Sequence, residues 1–443
     1  MRLRVLAKEA VERLPESVAR RLVWVPFSIR LGLQYGIWRK RLKRYEHPTA
    51  DWESELLNSL RRVLADAIRH VEFWRELAER HGFSARDIRS LEDWRHLPVV
   101  TKKELQDCQL EFRCSRPERG MRLNTGGTVG EPLEFLVDNR AFAREWAHMH
   151  HLWMKRGYRT SDVKLTLRGK YFDTSDVLRF NAVHNEYVVN SNAPMSAVVH
   201  AVARLPRGRD LRWIHGYPSL VAEFAHELRE RDPALTTRLR RQLKGVLLGS
   251  EYPAPIYREP IEAVLSTNSV TWYGHSEMAI LAVESAAGVY TSLPTYGFAE
   301  AVPEADGQAW RLVGTSLHNR THPFIRYDTG DRIRPIHSEA GVLTFRIEEG
   351  RLGDFIHDRD GNRHSLTAVM FGRHHPAFSL IRHVQVRETA PGEIALLITP
   401  KDLDCDVGTL REGFKLEGLN MTWNLQILDA PVRTTAGKIR LKV

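Results

Sequence analysis

The chain has 443 residues, of which 42% are apolar and 27% charged, a balance that allows a sizeable core and excludes a disordered, collagen-like or repeat-dominated chain. At roughly 150 residues per domain, the length predicts two to three domains. Lys and Arg number 65 against 55 Asp and Glu, a net charge of +10, which suits nucleic acid, an anionic membrane surface and anionic substrates alike. Cys108, Cys114 and Cys405 are too scattered for a disulfide framework or a zinc pair, so a reducing, cytoplasmic compartment is expected. The best candidate span, Leu22 to Trp38, is broken by Pro26, Arg30 and Gly32, whereas a transmembrane helix needs about 20 nearly uncharged residues. No signal peptide is expected, because the N-terminus lacks an apolar core followed by a small-residue cleavage site.

In chain order, the first forty residues carry Arg20, Arg21, Arg30, Arg39 and Lys40 among Trp and Leu, with Arg41, Lys43 and Arg44 following. This reads as a solvated face on packed helices, with a membrane-surface helix as the alternative. From Asp51 to His81, Leu56, Leu57, Leu60, Val63, Leu64, Ile68 and Val71 recur at helical spacing. Helices are expected to stop near Gly82 and before Pro98. From Met121 to Arg351 short β-rich runs (163–167, 211–214, 245–248, 269–272) alternate with helical segments (142–155, 220–231), which predicts an α/β domain with a mainly parallel sheet. Runs at 310–313, 332–335 and 342–347 read as a small antiparallel element. Beyond Arg351 come a hairpin at Asp360-Gly361, strands at 384–387 and 393–399, a helix near 407–415 and a strand at 423–428. This is a compact α+β module of about 90 residues. The expected division is therefore 1–350, with 1–120 as a helical leading region, and 351–443.

Five segments carry residues suited to chemistry. Thr125-Gly126-Gly127-Thr128-Val129-Gly130 can present backbone N–H groups and hydroxyls to an anion, although no Lys-Ser/Thr follows as in a Walker loop. Gly249-Ser250-Glu251 and Tyr273-Gly274-His275-Ser276-Glu277 each follow a predicted strand, where α/β sheets bind ligands. Tyr273 offers a flat ring to a base, and Glu277 a carboxylate to a phosphate-bound magnesium ion. In Arg326 to Asp331 an Asp can accept from a ribose diol. Arg351 lies where the pattern changes, and Lys438 follows Gly437 near the C-terminus as a mobile point charge. Singly, each segment reads as a turn or a surface pair. His148, His150 and His151 share one predicted helix and read as an exposed or satisfied face rather than a metal site. Asp358 and Asp360 read as a polar hairpin turn.

Taken in order, these segments, with Leu97-Pro98-Val99-Val100-Thr101-Lys102 ahead of them, resemble the adenylate-forming superfamily of acyl-CoA synthetases and ligases. The pattern looks most like its phenylacetate-CoA ligases and CapK-type capsule-biosynthesis proteins. The resemblance runs over nearly the whole chain. It implies that Thr125, Gly126, Gly127, Thr128 and Gly130 hold ATP phosphates. Gly249, Ser250 and Glu251 would pack on adenine, and Tyr273, Gly274, His275 and Ser276 would form the adenine-stacking segment. Glu277 would bind Mg2+, Asp331 and Arg351 contact the ribose, and Lys438 be the lysine required for adenylation. Val129 stands where relatives carry a hydroxyl residue, Leu133 where many carry Lys, and Gly353 where many carry a hinge Asp.

The implied activity is activation of a carboxylic acid as an acyl-AMP with pyrophosphate release, then transfer to CoA. An amine or amino-sugar acceptor, as in polysaccharide or natural-product biosynthesis, is the alternative. A non-catalytic scaffold at a membrane-associated assembly is the rival of another class. The expected partners are a small carboxylic acid with CoA or an amine, and peripheral membrane contact is compatible with the basic N-terminal segment. No nucleic-acid-binding motif accompanies the charge.

Overall fold

The structure is a computed structural model. It describes the chain apart from residues 1–13, 15, 46–51, 126–132, 139, 171, 173–174, 192, 206–209, 305–306, 308, 350–354, 362, 372–374, 403 and 434–438. The chain packs as two compact units, one of Met1–Pro26, Trp153–Thr271 and Gly353–Val443, the other of Phe27–Leu152 and Trp272–Leu352.

In the second unit, helices Phe27–Arg30 and Leu33–Arg44 precede helices Trp52–His70 and Glu72–His81. Leu56, Leu60, Val63, Leu64 and Ala67 of Trp52–His70 are all buried, as the i, i+4, i+7 spacing requires of a core-facing stripe. The two helices meet at Val71, whose backbone is extended at φ −127°, a conformation that suits a β-branched side chain. Gly82 ends the second helix in the left-handed region at φ 67°, where glycine has no Cβ to clash. Helices Leu91–Arg95 and Lys102–Asp107 each start on a capping box, Ser90 with Asp93 and Thr101 with Glu104. Strands β1 (Met121–Asn124) and β2 (Glu134–Val137) then form an antiparallel hairpin, and helix Ala141–Met154 follows.

The chain next builds the first unit's sheet. Its strands are β3 (Val163–Lys170), β4 (Leu178–Asn181), β5 (Glu186–Asn190), β6 (Leu211–Gly216), β7 (Gly245–Leu248) and β8 (Ser269–Gly274). Their order is β4-β5-β3-β6-β7-β8, and every pair but β4–β5 is parallel. All four residues of β7 are buried, the continuous apolar run of a parallel strand covered on both faces. Helix Pro218–Arg231 packs Val221, Phe224 and Leu228 into the same core as Leu165, Ile214 and Val246.

The last residues of β8 belong to the second unit and start an antiparallel sheet. It continues through β9 (Leu281–Ala286), β10 (Val289–Ser292), β11 (Gly297–Pro303), β12 (Trp310–Ser316), β13 (Tyr327–Glu339) and β14 (Val342–Glu349), in the order β8-β9-β10-β14-β13-β12-β11. This element is larger than expected, because β9 and β11 draw about half their residues from Ala, Ser and Gly, which carry little strand preference, and β10, though built of Val, Tyr and Thr, is only four residues long.

The chain then returns to the first unit, with hairpin β15 (Phe355–His357) and β16 (Arg363–Ser365) at the expected turn, and β17 (Ile381–Ala390) antiparallel to β18 (Glu393–Pro400). Strand β19 (Thr422–Ile427) runs parallel to β18, after a crossover that contains helix Val407–Glu412. Val384, Val386, Leu396 and Ile398 share a core with Ile256 and Tyr257 of helix Pro255–Leu265. No helix among the described residues is long and apolar enough to cross a membrane. His148 and His150, expected on an exposed or satisfied face, are fully buried, with Nδ1 of His148 2.9 Å from Arg144 O and Nδ1 of His150 2.8 Å from the Tyr35 hydroxyl.

Candidate active site

Within the second unit, β8 and β13 bring two of the expected segments together. The Tyr273 hydroxyl donates to Asp331 Oδ2, and the Tyr273 ring meets Phe345 edge to face at 5.8 Å between centroids. Tyr273 therefore fixes the carboxylate expected to receive a ribose while keeping a ring beside it. The turn after β8 holds Glu277, whose residue is only 3% exposed. Its Oε2 lies 3.0 Å from His275 Nδ1 and accepts from Ser276 Oγ at 3.2 Å, and its Oε1 accepts from the Tyr327 hydroxyl at 3.2 Å. A buried carboxylate needs such donors, because desolvation otherwise disfavours its charge. The turn leads into strand β9, and the Ser276 hydroxyl serves Glu277.

Asp331 sits beside a second acid. Asp328 accepts from Gly330 N at 2.9 Å and from Arg311 Nη1 at 3.1 Å. Burial raises the Asp328 carboxyl above the ordinary carboxylate range, the neighbouring Asp331 pushes the same way, and the two donors only partly oppose them. The start of β13 is stitched to the Leu97–Lys102 segment. Val100 N donates to Arg326 O and Asp328 N donates to Val100 O, both at 2.9 Å. Arg326 is buried, pairs with Glu300 at 3.2 Å and donates to the carbonyls of Arg95 and Leu97. Two sequence segments about 230 positions apart are thus one structural piece that presents Tyr327, Asp328 and Asp331.

Thr125 is buried at the neck of the Gly-rich segment. Its N–H donates to Leu133 O and its Oγ1 accepts from Leu133 N, both at 2.9 Å. Part of the hydroxyl's capacity thereby closes the loop. Gly126, Gly127, Thr128 and Gly130 lie outside the described residues, as do Arg351, Gly353 and Lys438.

Gly249, Ser250 and Glu251 fall in the first unit, after β7. Gly249 N donates to Gly216 O at 3.2 Å, and Arg168 Nη2 donates to Ser250 Oγ at 3.0 Å. Glu251 accepts with Oε2 from Ser219 N, in the first turn of helix Pro218–Arg231, at 3.2 Å, and with Oε1 from Ile439 N at 3.0 Å. Ile439 follows Lys438 in the chain. Four residues along that helix from Ser219, Glu223 lies 2.9 Å from His383 Nε2 and also pairs with Arg433. Burial alone would raise Glu223, but His383 and Arg433 outweigh it and hold its carboxyl below the ordinary range.

Three of the motif segments contain or adjoin a non-glycine residue in the left-handed region, Ser250 (φ 70°), Met278 (φ 55°) and Arg326 (φ 44°). Such backbone persists where surrounding contacts over-determine it, and it concentrates at functional sites. Sequence reasoning missed Tyr327, Arg311 and Asp328 as partners of the expected residues. Their position inside or opposite the Arg326–Asp331 segment was the only signal. Among the described residues no cluster of three or more His, Cys, Asp or Glu could hold a metal ion by itself. A lone carboxylate such as Glu277 fits Mg2+ bound mainly through phosphates and water.

No family model matches the sequence, and no curated protein matches it. Solved structures do. The chain has the fold of a group of adenylate-forming ligases. A 2-hydroxyisobutyryl-CoA ligase in the postadenylation state, in complex with 2-HIB-AMP, superposes with a TM-score of 0.68 at 18% identity, covering 90% of each chain. An acyl acid amido synthetase in complex with 2,4-DB superposes with a TM-score of 0.58 at 14% identity, covering 82% of this chain and 81% of the other.

Proposed function

We propose that this protein is an AMP-forming carboxylate ligase, which activates a carboxylic acid with ATP and passes the acyl group to the CoA thiol. The observation that carries the reading is the pair of preformed carboxylates in one unit. Tyr273 holds Asp331, while His275, Ser276 and Tyr327 hold Glu277. Its place in a fold shared with a CoA ligase solved with 2-HIB-AMP and with an acyl acid amido synthetase supports it.

In this reading the acid's carboxylate oxygen attacks the α-phosphorus of ATP and pyrophosphate leaves. Asp331 accepts from the ribose hydroxyls, with Tyr273 fixing the orientation of its carboxylate. Glu277 would hold a phosphate-bound Mg2+, which when bound would offset phosphate charge. Thr125 closes the neck of the loop expected to cradle phosphates. Lys438 neutralises charge developing between carboxylate and phosphate, and Arg351 adds a ribose contact. The thiolate of CoA then attacks the acyl carbonyl and AMP leaves. In this reading residues 1–350 bind ATP and the acid, and 351–443, which here share a core with helix Pro255–Leu265, would have to part from that core to move about the neighbourhood of Gly353. The motif pattern favours the phenylacetate-CoA ligase and CapK branch. An amine acceptor is the second reading, favoured by the likeness to the acyl acid amido synthetase.

The test is ATP–pyrophosphate exchange over a panel of aliphatic, hydroxylated and aromatic acids, repeated with CoA and with amines. Exchange with at least one acid is expected, and Lys438→Ala abolishes it while a supplied acyl adenylate is still consumed. Absence of exchange with every acid class overturns the reading.

A further inference from the structure

Helix Leu33–Arg44 buries Tyr35, Trp38 and Leu42. Its opposite face carries Leu33, Ile37, Lys40, Arg41 and Arg44, all exposed, within roughly 100° of arc at 3.6 residues per turn. Leu33 is 79% exposed and Ile37 42%. On the preceding helix, Phe27–Arg30, Ile29 is 67% exposed. The two helices touch at Gly36, where an added Cβ would come within 3.1 Å of Ser28 Cβ. From Phe27 to Tyr45 there are six basic residues and no acidic one. The nearest acid in the following helix that makes a contact here is Glu55, which accepts from the Tyr45 hydroxyl at 2.7 Å.

Lys and Arg in a last turn complement the helix dipole. That accounts for Arg41, Lys43 and Arg44 but not for two large aliphatic side chains set in solvent on the same stripe. A duplex or single-stranded nucleic acid would use the charge and leave Leu33 and Ile37 without purpose. A surface that offers anionic groups and an apolar layer beneath them uses both. We infer that the outer face of helix Leu33–Arg44 docks the protein on an anionic lipid bilayer, with Leu33, Ile37 and Ile29 entering the acyl boundary and Lys40, Arg41, Lys43 and Arg44 facing lipid phosphates and carboxylates. This holds independently of the activity proposed above.

The test is co-sedimentation of the full chain with vesicles of phosphatidylcholine alone and of phosphatidylcholine with about one-third phosphatidylserine. Binding to the anionic vesicles is expected, with little to the neutral ones. It should weaken as salt shortens the Debye length from about 10 Å at 0.1 M to about 3 Å at 1 M. Lys40→Gln/Lys43→Gln/Arg44→Gln should bind about 100-fold more weakly, at about fivefold per charge. Leu33→Ser/Ile37→Ser should lose at least about tenfold with all charges present. All five positions are exposed, so both variants stay folded, with at most a small drop in melting temperature where the last-turn charges Lys43 and Arg44 are lost. Wild-type protein that stays in the supernatant overturns the inference. So does a Leu33→Ser/Ile37→Ser variant that binds vesicles as wild type does, which marks a charge-only surface of the kind nucleic acid uses. Self-association lost in that variant, without vesicle binding, assigns the face to a second copy and overturns it as well.

Discussion

Glu251 offers the sharpest separation between two roles for one residue. The family pattern expects it against adenine, whereas its two oxygens accept from Ser219 N at 3.2 Å and Ile439 N at 3.0 Å. Glu251→Gln is nearly isosteric but keeps one acceptor oxygen. If that oxygen stays on Ser219, the new amide NH2 faces the Ile439 N–H, donor against donor. One charge-assisted hydrogen bond is lost, a cost of about 1.5–3 kcal/mol, or roughly 10- to 150-fold in an equilibrium constant. That cost falls on seating the chain next to Lys438. Pyrophosphate exchange should therefore drop by at least about tenfold, while AMP affinity and consumption of a supplied acyl adenylate stay at wild-type values. Calorimetry with AMP and separate assays of the two half-reactions read this out. A parallel loss of AMP affinity and of both half-reactions would refute the positioning role and return Glu251 to the adenine. Unchanged exchange in a folded variant would refute both roles.

Asp331→Ala removes the acceptor of the Tyr273 hydroxyl and the expected ribose contact together. AMP and ATP affinity should fall by about tenfold or more, and an unchanged calorimetric AMP affinity would sink the assignment. Arg326→Met leaves Glu300 buried without its cation. Burial already holds the Glu300 carboxyl above its ordinary range despite Arg326, so a loss of roughly 3–5 kcal/mol is expected in denaturant unfolding, partly recovered by adding Glu300→Gln. Burial pushes His148 down to about 4 and His318 to about 3. Below an ordinary value near 6.5 the unfolded chain takes up protons that the folded one refuses, so stability falls with pH. Between pH 6.5 and 5 the two histidines together cost about 3 kcal/mol, and urea midpoints that do not drop over that range would contradict their neutral burial.

Much of the fold lay in local pattern. Of the residues that recur at helical spacing, Leu56, Leu60, Val63 and Leu64 face the core, while Leu57 and Ile68 are half-buried at its edge. The run Gly245–Leu248 is apolar throughout and is a parallel strand buried at every position. Gly82 stops its helix because a left-handed turn favours a residue without Cβ. In such places a few neighbouring side chains decide the structure, so the sequence alone suffices. Strands β9 and β11 were not legible, since their Ala, Ser and Gly become strand only when flanking strands supply the hydrogen bonds, and β10 is a four-residue run too short to stand out by itself.

The candidate site divides in the same way. Tyr273, Glu277 and Asp331 were marked by motif order. That Tyr327 supports Glu277 from 50 residues away, and that Val100 splices onto β13, are long-range contacts without a local trace. Glu251 shows the limit most plainly. Its residue type and its place after β7 are in the sequence, but which donors it meets depends on where the chain near Ile439 is laid down. The stripe of Leu33, Ile37, Lys40, Arg41 and Arg44 is also written in the spacing, because helical period fixes which residues share a face. Which face turns to solvent was decided by tertiary packing, since Tyr35, Trp38 and Leu42 bury more apolar area than Leu33 and Ile37 could.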